Sequence, residues 1–65
     1  MTKTFNIGFS HWVNNEWVDD ETQFDAGGND LNEMMTDLLY LWTEFYYENH
    51  LNHPEINYVE ETKKD

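Results

Sequence analysis

The chain of 65 residues has no cysteine, a single proline and only three basic residues, which are lysines at positions 3, 63 and 64. The absence of cysteine excludes disulfides and thiolate metal sites as a means of stabilising so short a chain. A domain of this size buries only about 60% of the surface that its unfolded chain exposes. Stability must therefore come from aromatic packing, from self-association or from a partner.

Positive charge is missing between Thr4 and Thr62, a segment with no Lys and no Arg, although the chain carries 14 acidic residues and a formal net charge of −11. Such a field repels nucleic acids and anionic membranes and attracts basic surfaces. No stretch approaches the roughly 20 apolar residues that span a membrane, and the first residues lack the apolar run of a signal peptide. We therefore expect a cytoplasmic protein that binds neither nucleic acid nor membrane directly.

The eleven aromatic residues and a clear helical period indicate that this acidic chain folds. Residues 30–51 are predicted to form one amphipathic helix, because at about 100° per residue their apolar side chains share one face. That face comprises Leu31, Met35, Leu38, Trp42, Phe45 and Tyr46. Asp30 and Glu33 have the spacing of a capping box at the start of this helix.

Two alternating segments, 3–13 and 16–25, are predicted to form a β-hairpin, since Asn14 and Asn15 suit a two-residue turn. The register places Trp12 opposite Trp17. It also turns Asp20 inward against an apolar side chain, so a bulge or a longer turn is expected near Asp19 and Asp20. Residues 26–29 are expected to form a hinge-like loop, because they include two glycines.

The segment 55–61 is predicted to be a third strand, with Ile56 and Tyr58 on one side and Val59 on the other, followed by a frayed tail over 62–65. The predicted fold is therefore an α+β, ββαβ single domain spanning residues 1–65. One amphipathic helix would pack on a short antiparallel sheet, in which a right-handed crossover places the third strand beside the first.

Catalytic and metal-binding patterns are weak. Ser10 and His11 are neighbours on a strand and point to opposite faces, and 65 residues leave little room for a cleft. We expect no enzymatic activity and no cofactor. His50 and His53 are the candidates for metal ligands, but their spacing of three differs from the spacing of four in helical zinc pairs, so no metal site is expected.

Acidic side chains form a strip roughly 60° wide along the polar face of the predicted helix. The acid pairs at i,i+4 cost a few tenths of a kcal/mol each, so a sequence shaped only for folding would have mixed the signs. Tyr40 and Tyr47 border the strip, and Trp12 and Trp17 add a pair of aromatic anchors on the hairpin. The predicted partner-binding acids are Glu33, Asp37, Glu44 and Glu48, followed by Asp19, Asp20 and Glu21.

In its charge layout, size and aromatic content the chain resembles the small acidic DNA-mimic inhibitors that phages and mobile elements direct against restriction and CRISPR effectors. The resemblance implies a stoichiometric inhibitor that occupies the basic nucleic-acid-binding surface of a host protein. The alternative is a homodimeric interaction module in which the acidic face only keeps the protein soluble and the Trp pair is buried against a second copy.

Overall fold

A computed structural model describes residues 1–62 of the chain, so most of the tail expected over 62–65 lies outside the described residues. The elements follow the order β1 (Thr2–Val13), β2 (Glu16–Gly27), α1 (Leu31–Glu48) and β3 (Glu55–Thr62). The strands form one antiparallel sheet in the order β2-β1-β3, and α1 packs against it. The predicted α+β fold is confirmed, including the position of the third strand beside the first.

The β1–β2 hairpin has the predicted turn and register. Asn14 and Asn15 have φ angles of 50° and 65°, as a two-residue turn of the type I′ class requires. Trp12 lies opposite Trp17, and the pairing continues without a break to the far ends of both strands. Strand β2 therefore includes Ala26 and Gly27, so the prediction of a loop over 26–29 was wrong for these two residues.

The expected bulge near Asp19 and Asp20 was also wrong. Asp20 lies directly opposite Phe9, but its side chain is exposed whereas Phe9 is buried. An inward-facing acid is tolerated here because α1 leaves this part of β2 in contact with solvent.

The irregularity in the sheet lies in β3 instead. Gly8 pairs with Tyr58 while the next residue, Phe9, pairs with Ile56, so one extra residue of β3 is accommodated between them. This bulge reverses the alternation of the strand. Ile56 and Val59 therefore share one side of the sheet and Tyr58 lies on the other. The prediction that Ile56 and Tyr58 share a side was wrong.

Helix α1 is shorter than predicted at both ends. Asp30 is its N-cap, and the Asp30 carboxylate accepts a hydrogen bond from the Glu33 N–H at 2.9 Å. Leu31 was predicted to lie on the apolar face of the helix but is 65% exposed, whereas Met34, which was not placed on that face, is buried. Side chains of a helix tilt toward its N-terminus, so the side chain of the first helical residue extends beyond the sheet.

The end of α1 is a Schellman motif rather than a continuation to residue 51. His50 has a left-handed φ of 52°, its N–H donates to the Tyr47 carbonyl at 3.3 Å, and the Leu51 N–H donates to the Tyr46 carbonyl at 3.1 Å. Leu51 and Tyr46, whose backbone groups close this motif, both pack against the core.

The core lies between α1 and one side of the sheet, here called the helix side. The Phe9 ring lies 5.2 Å from Trp42 and 5.7 Å from Phe45, and Phe45 also meets Phe24 in an edge-on contact. The opposite side, here called the open side, has no helix or strand packed on it among the described residues. On the central strand the open side comprises Thr4, Asn6, Gly8, Ser10 and Trp12.

Candidate functional site

A row of carboxylates follows strand β2 along the open side. Asp19, Glu21 and Asp25 lie opposite Ser10, Gly8 and Thr4, and all three acids are exposed. Alternate residues of a strand are separated by about 6.8 Å, so Asp19 and Glu21 present two negative charges at that spacing. The side chains of this row point away from the core, and none of them is required to fill it.

Hydroxyl groups hold this row in place. Ser10 Oγ donates to Asp19 Oδ1 at 2.6 Å, Thr4 Oγ1 donates to Asp25 Oδ1 at 2.5 Å, and the Tyr58 hydroxyl donates to Glu21 Oε2. A hydroxyl is neutral, so these hydrogen bonds fix the orientation of the carboxylates without cancelling their charge. The open side is therefore an anionic surface whose side chains are ordered before any partner arrives.

Tyr58 crosses the central strand at its glycine. A Cβ atom added to Gly8 would lie 2.0 Å from a ring carbon of Tyr58, so only glycine lets the ring lie over β1. The ring reaches from β3 to β2, where its hydrogen bond to Glu21 is the largest cause of a raised pKa for the Tyr58 hydroxyl. Burial and the negative charges of Glu21 and Glu60 raise this pKa further.

The Trp12–Trp17 pair lies on the open side at the hairpin end of the sheet. The two rings meet edge to face, with centroids 5.4 Å apart and planes at 75°, and Trp17 is 51% exposed. The predicted contact between the two rings is confirmed, and its use as a binding anchor stays a prediction. The backbone N–H of Trp12 donates to the Asn52 carbonyl at 2.9 Å, which ties this end of the sheet to the chain after α1.

Two of the four helix acids predicted to bind a partner already have structural partners. Glu33 Oε2 accepts a hydrogen bond from the Asn29 N–H at 2.8 Å, which stabilises the start of α1. Asp37 Oδ2 accepts one from the Gly27 N–H at 2.8 Å and so joins the helix to the end of β2. The acidic character of this end of the helix therefore has a folding explanation.

The other half of the helix strip carries Glu44 and Glu48. Glu44 lies beside Tyr40, and its hydrogen bond and negative charge raise the pKa of the Tyr40 hydroxyl. Tyr47 is exposed and stacks on Tyr46 with ring centroids 5.0 Å apart, and Glu48 is exposed at the end of the helix. These side chains form a second, smaller acidic and aromatic surface.

The predicted partner-binding residues therefore divide between two surfaces rather than forming one ridge. Glu33, Asp37, Glu44 and Glu48 belong to the helix, whereas Asp19 and Glu21 belong to the open side of the sheet. Asp20 lies on the helix side of β2, and one of its oxygens accepts a hydrogen bond from the Glu21 N–H at 2.8 Å. The sheet separates the two main groups of acids, so a single flat partner surface cannot contact both.

Sequence reasoning assigned no role to Gly8 or Tyr58, which complete the open side. A glycine in the middle of an otherwise β-prone strand often marks close approach by another group. Gly8 within the predicted strand 3–13 is such a glycine, so the sequence did contain this signal. The identity of that group depended on the bulge in β3, which moves Tyr58 to the open side.

The metal candidates do not converge. His50 and His53 are both exposed and both have positive φ angles, of 52° and 50°. Within residues 1–62, no group of three or more His, Asp or Glu side chains is arranged to hold a metal ion.

Comparison with protein-family models, with curated proteins and with solved structures finds no match to this chain. Among the described residues, no helix is long and apolar enough to cross a membrane.

Proposed function

We propose that this protein is a stoichiometric inhibitor or regulator that binds the basic nucleic-acid-binding surface of another protein in place of the nucleic acid. The observation that carries the proposal is the row of carboxylates on the open side, oriented by hydroxyl groups instead of by lysine or arginine. Between Thr4 and Thr62 the chain has no basic residue that could neutralise this row from within the segment.

The row matches what a nucleic-acid-binding groove recognises. Lys and Arg side chains in such grooves contact a regular series of negative charges, and most of the affinity is independent of base sequence. Asp19 and Glu21 supply two such charges on one strand, and Asp25 supplies a third toward the end of β2, beyond the neutral Gln23. Because hydroxyl groups already order these side chains, binding loses less conformational entropy than it would with freely rotating acids.

The Trp pair supplies the aromatic part of the imitation. Proteins that hold single-stranded nucleic acids combine a basic groove with aromatic or Arg side chains on which the bases stack. Trp17 is half-exposed beside the acidic row, and in the proposed complex its ring would stand in the place of a base. Trp is also enriched among the residues that dominate the binding energy of protein interfaces.

This function needs no catalytic step and no cofactor. Opposite charge accelerates the encounter, and the complex weakens as salt screens the contacts. The setting that fits is the cytoplasm of a bacterial host, where phages and mobile elements block restriction or CRISPR effectors with acidic proteins of this kind. Because the proposed function has no catalytic step, we expect the protein to have no enzymatic activity.

The proposal is tested by capture from a bacterial lysate at low salt, followed by elution with a salt step. The bait is the wild-type chain, a variant with Asp19→Asn and Glu21→Gln, or a control variant with Glu44→Gln and Glu48→Gln. The two variants lose the same charge from different surfaces, and the amide oxygens of the first still accept hydrogen bonds from Ser10 and Tyr58.

We expect the wild type and the helix control to retain nucleic-acid-binding proteins and the open-side variant to lose them. Duplex DNA added to the wash should release the same proteins. Equal capture by all three baits, or retained proteins that bind no nucleic acid, would contradict the proposal. Loss of capture by the helix control alone would contradict the assignment to the open side.

A further inference from the structure

Strand β3 leaves apolar side chains uncovered on the helix side of the sheet. Ile56 and Val59 lie directly opposite Phe9 and Ile7 of β1, so all four side chains share that side. Phe9 and Ile7 are 2% and 1% exposed, whereas Ile56 and Val59 are 41% and 45% exposed. The cover that α1 gives to the central strand therefore ends before β3.

The flank of α1 that faces β3 is also apolar. Phe45 contacts Phe24 of β2, and Trp42 contacts Phe9 of β1, so the helix surface beyond Trp42 points toward β3. Since an α-helix turns by about 100° per residue, Leu39 lies beyond Trp42 on that flank, and its side chain is 59% exposed. The exposed apolar side chains of this region are therefore Leu39, Ile56 and Val59.

Strand β3 is also an edge of the sheet. In the order β2-β1-β3 it pairs with β1 alone, so its outer backbone groups have no strand partner among the described residues. Its side chains alternate around the bulge, with Ile56, Val59 and Glu61 on the helix side and Tyr58 and Glu60 on the open side. Glu61 is ion-paired with Lys3, whose Nζ lies 3.4 Å from the Glu61 carboxylate. A strand added beside residues 56–60 would meet the apolar side chains of Ile56 and Val59 on one side and the Glu60 carboxylate on the other.

We propose that β3 is the docking edge for an extended segment of a partner protein in which apolar residues alternate with Lys or Arg. The backbone of that segment would pair with β3 and extend the sheet. Its apolar side chains would cover Ile56 and Val59, and its basic side chains would lie beside Glu60. This inference does not depend on mimicry of nucleic acid, because it concerns a different edge of the molecule and a different kind of contact.

Charge decides between this occupant and a second copy of the chain. β3 carries Glu55, Glu60 and Glu61, and two such strands paired with one another would bring like charges together. Each copy also carries a net charge of −11. Charges on an edge strand prevent pairing between identical copies, and the same charges attract a basic strand.

The test uses a synthetic peptide of about eight residues with Val and Lys in alternation, N-methylated on one edge so that it cannot assemble with itself. One control peptide has the same composition with its lysines in one block, and another has Glu in place of Lys. Binding is followed by amide chemical shifts and hydrogen exchange of the folded chain, and sedimentation establishes its oligomeric state.

We expect the alternating Lys peptide to shift and protect the amides of β3, with about tenfold weaker binding for either control peptide. Glu60→Lys should weaken binding far more than Glu16→Lys, which makes the same charge change at an exposed position of β2. Peptide binding with no response of the β3 amides, equal binding of the two Lys peptides, or equal effects of the two variants would overturn the proposal. Dimerisation through β3 without peptide would overturn the choice of occupant.

Discussion

Replacing His50 by glycine tests the structure at the point where the chain leaves helix α1. His50 has a φ of 52°, in the left-handed region where a side chain with a Cβ atom is strained. Its N–H and that of Leu51 close the Schellman motif with the carbonyls of Tyr47 and Tyr46. Glycine adopts this conformation freely, and it is the residue most often found at this position.

The expected gain follows from two opposing contributions. Relief of the left-handed strain stabilises the folded state by about 1–2 kcal/mol. The greater freedom of glycine in the unfolded chain opposes this by about 0.4–1 kcal/mol. The net stabilisation of His50→Gly is therefore about 0–1.6 kcal/mol, and its midpoint of about 0.8 kcal/mol raises the Tm of a domain this small by about 3–6 °C.

Thermal unfolding followed by circular dichroism measures this change, with His50→Ala as the matched control. Alanine also removes the imidazole but retains Cβ, so it should not raise the Tm. A lower Tm for His50→Gly, or an equal rise for both variants, would contradict the left-handed conformation at residue 50.

Three further outcomes test the open side and the core. Glu21→Gln should lower the pKa of Tyr58 toward its usual range, and the absorbance of tyrosinate measures this change. Because the fold raises the pKa of Tyr58, the stability linked to this group is present below about pH 10 and is lost as the pH rises through the folded-state pKa. Added salt should raise the Tm by screening acids that have almost no basic partners, and a lower Tm at high salt would refute this. Leu38→Ala should cost about 2–5 kcal/mol, comparable to the whole stability of so small a domain, whereas Leu39→Ala should change it by less than about 0.5 kcal/mol.

The elements with regular local patterns were predictable from the sequence. Alternation in 3–13 and 16–25, with Asn14-Asn15 between them, determined the hairpin register because a slip of one residue would turn every side chain to the wrong side. The helix start was equally clear, since Asp30 and Glu33 satisfy exposed backbone groups through contacts within one turn.

The features that depend on contacts distant in sequence were not predictable. The bulge in β3 arises from pairing with β1, and it reversed the expected sides of Tyr58 and Val59. The exposure of Leu31 depends on where the sheet ends beneath α1. For the candidate site, the alternation of the hairpin placed Asp19 and Glu21 on the side away from the core, as the structure has them. The sequence did not show that Tyr58 crosses this side or that Asp37 accepts a hydrogen bond from the Gly27 N–H.

We propose that the open side and a nucleic acid compete for one surface of the partner. The direct measurement uses a purified nucleic-acid-binding protein captured by the chain, bound at low salt to a fluorescently labelled DNA duplex and titrated with the wild-type chain. We expect the duplex to be released in proportion to the chain bound, with no complex containing all three components. A stable ternary complex, with the duplex still bound at saturation, would contradict it.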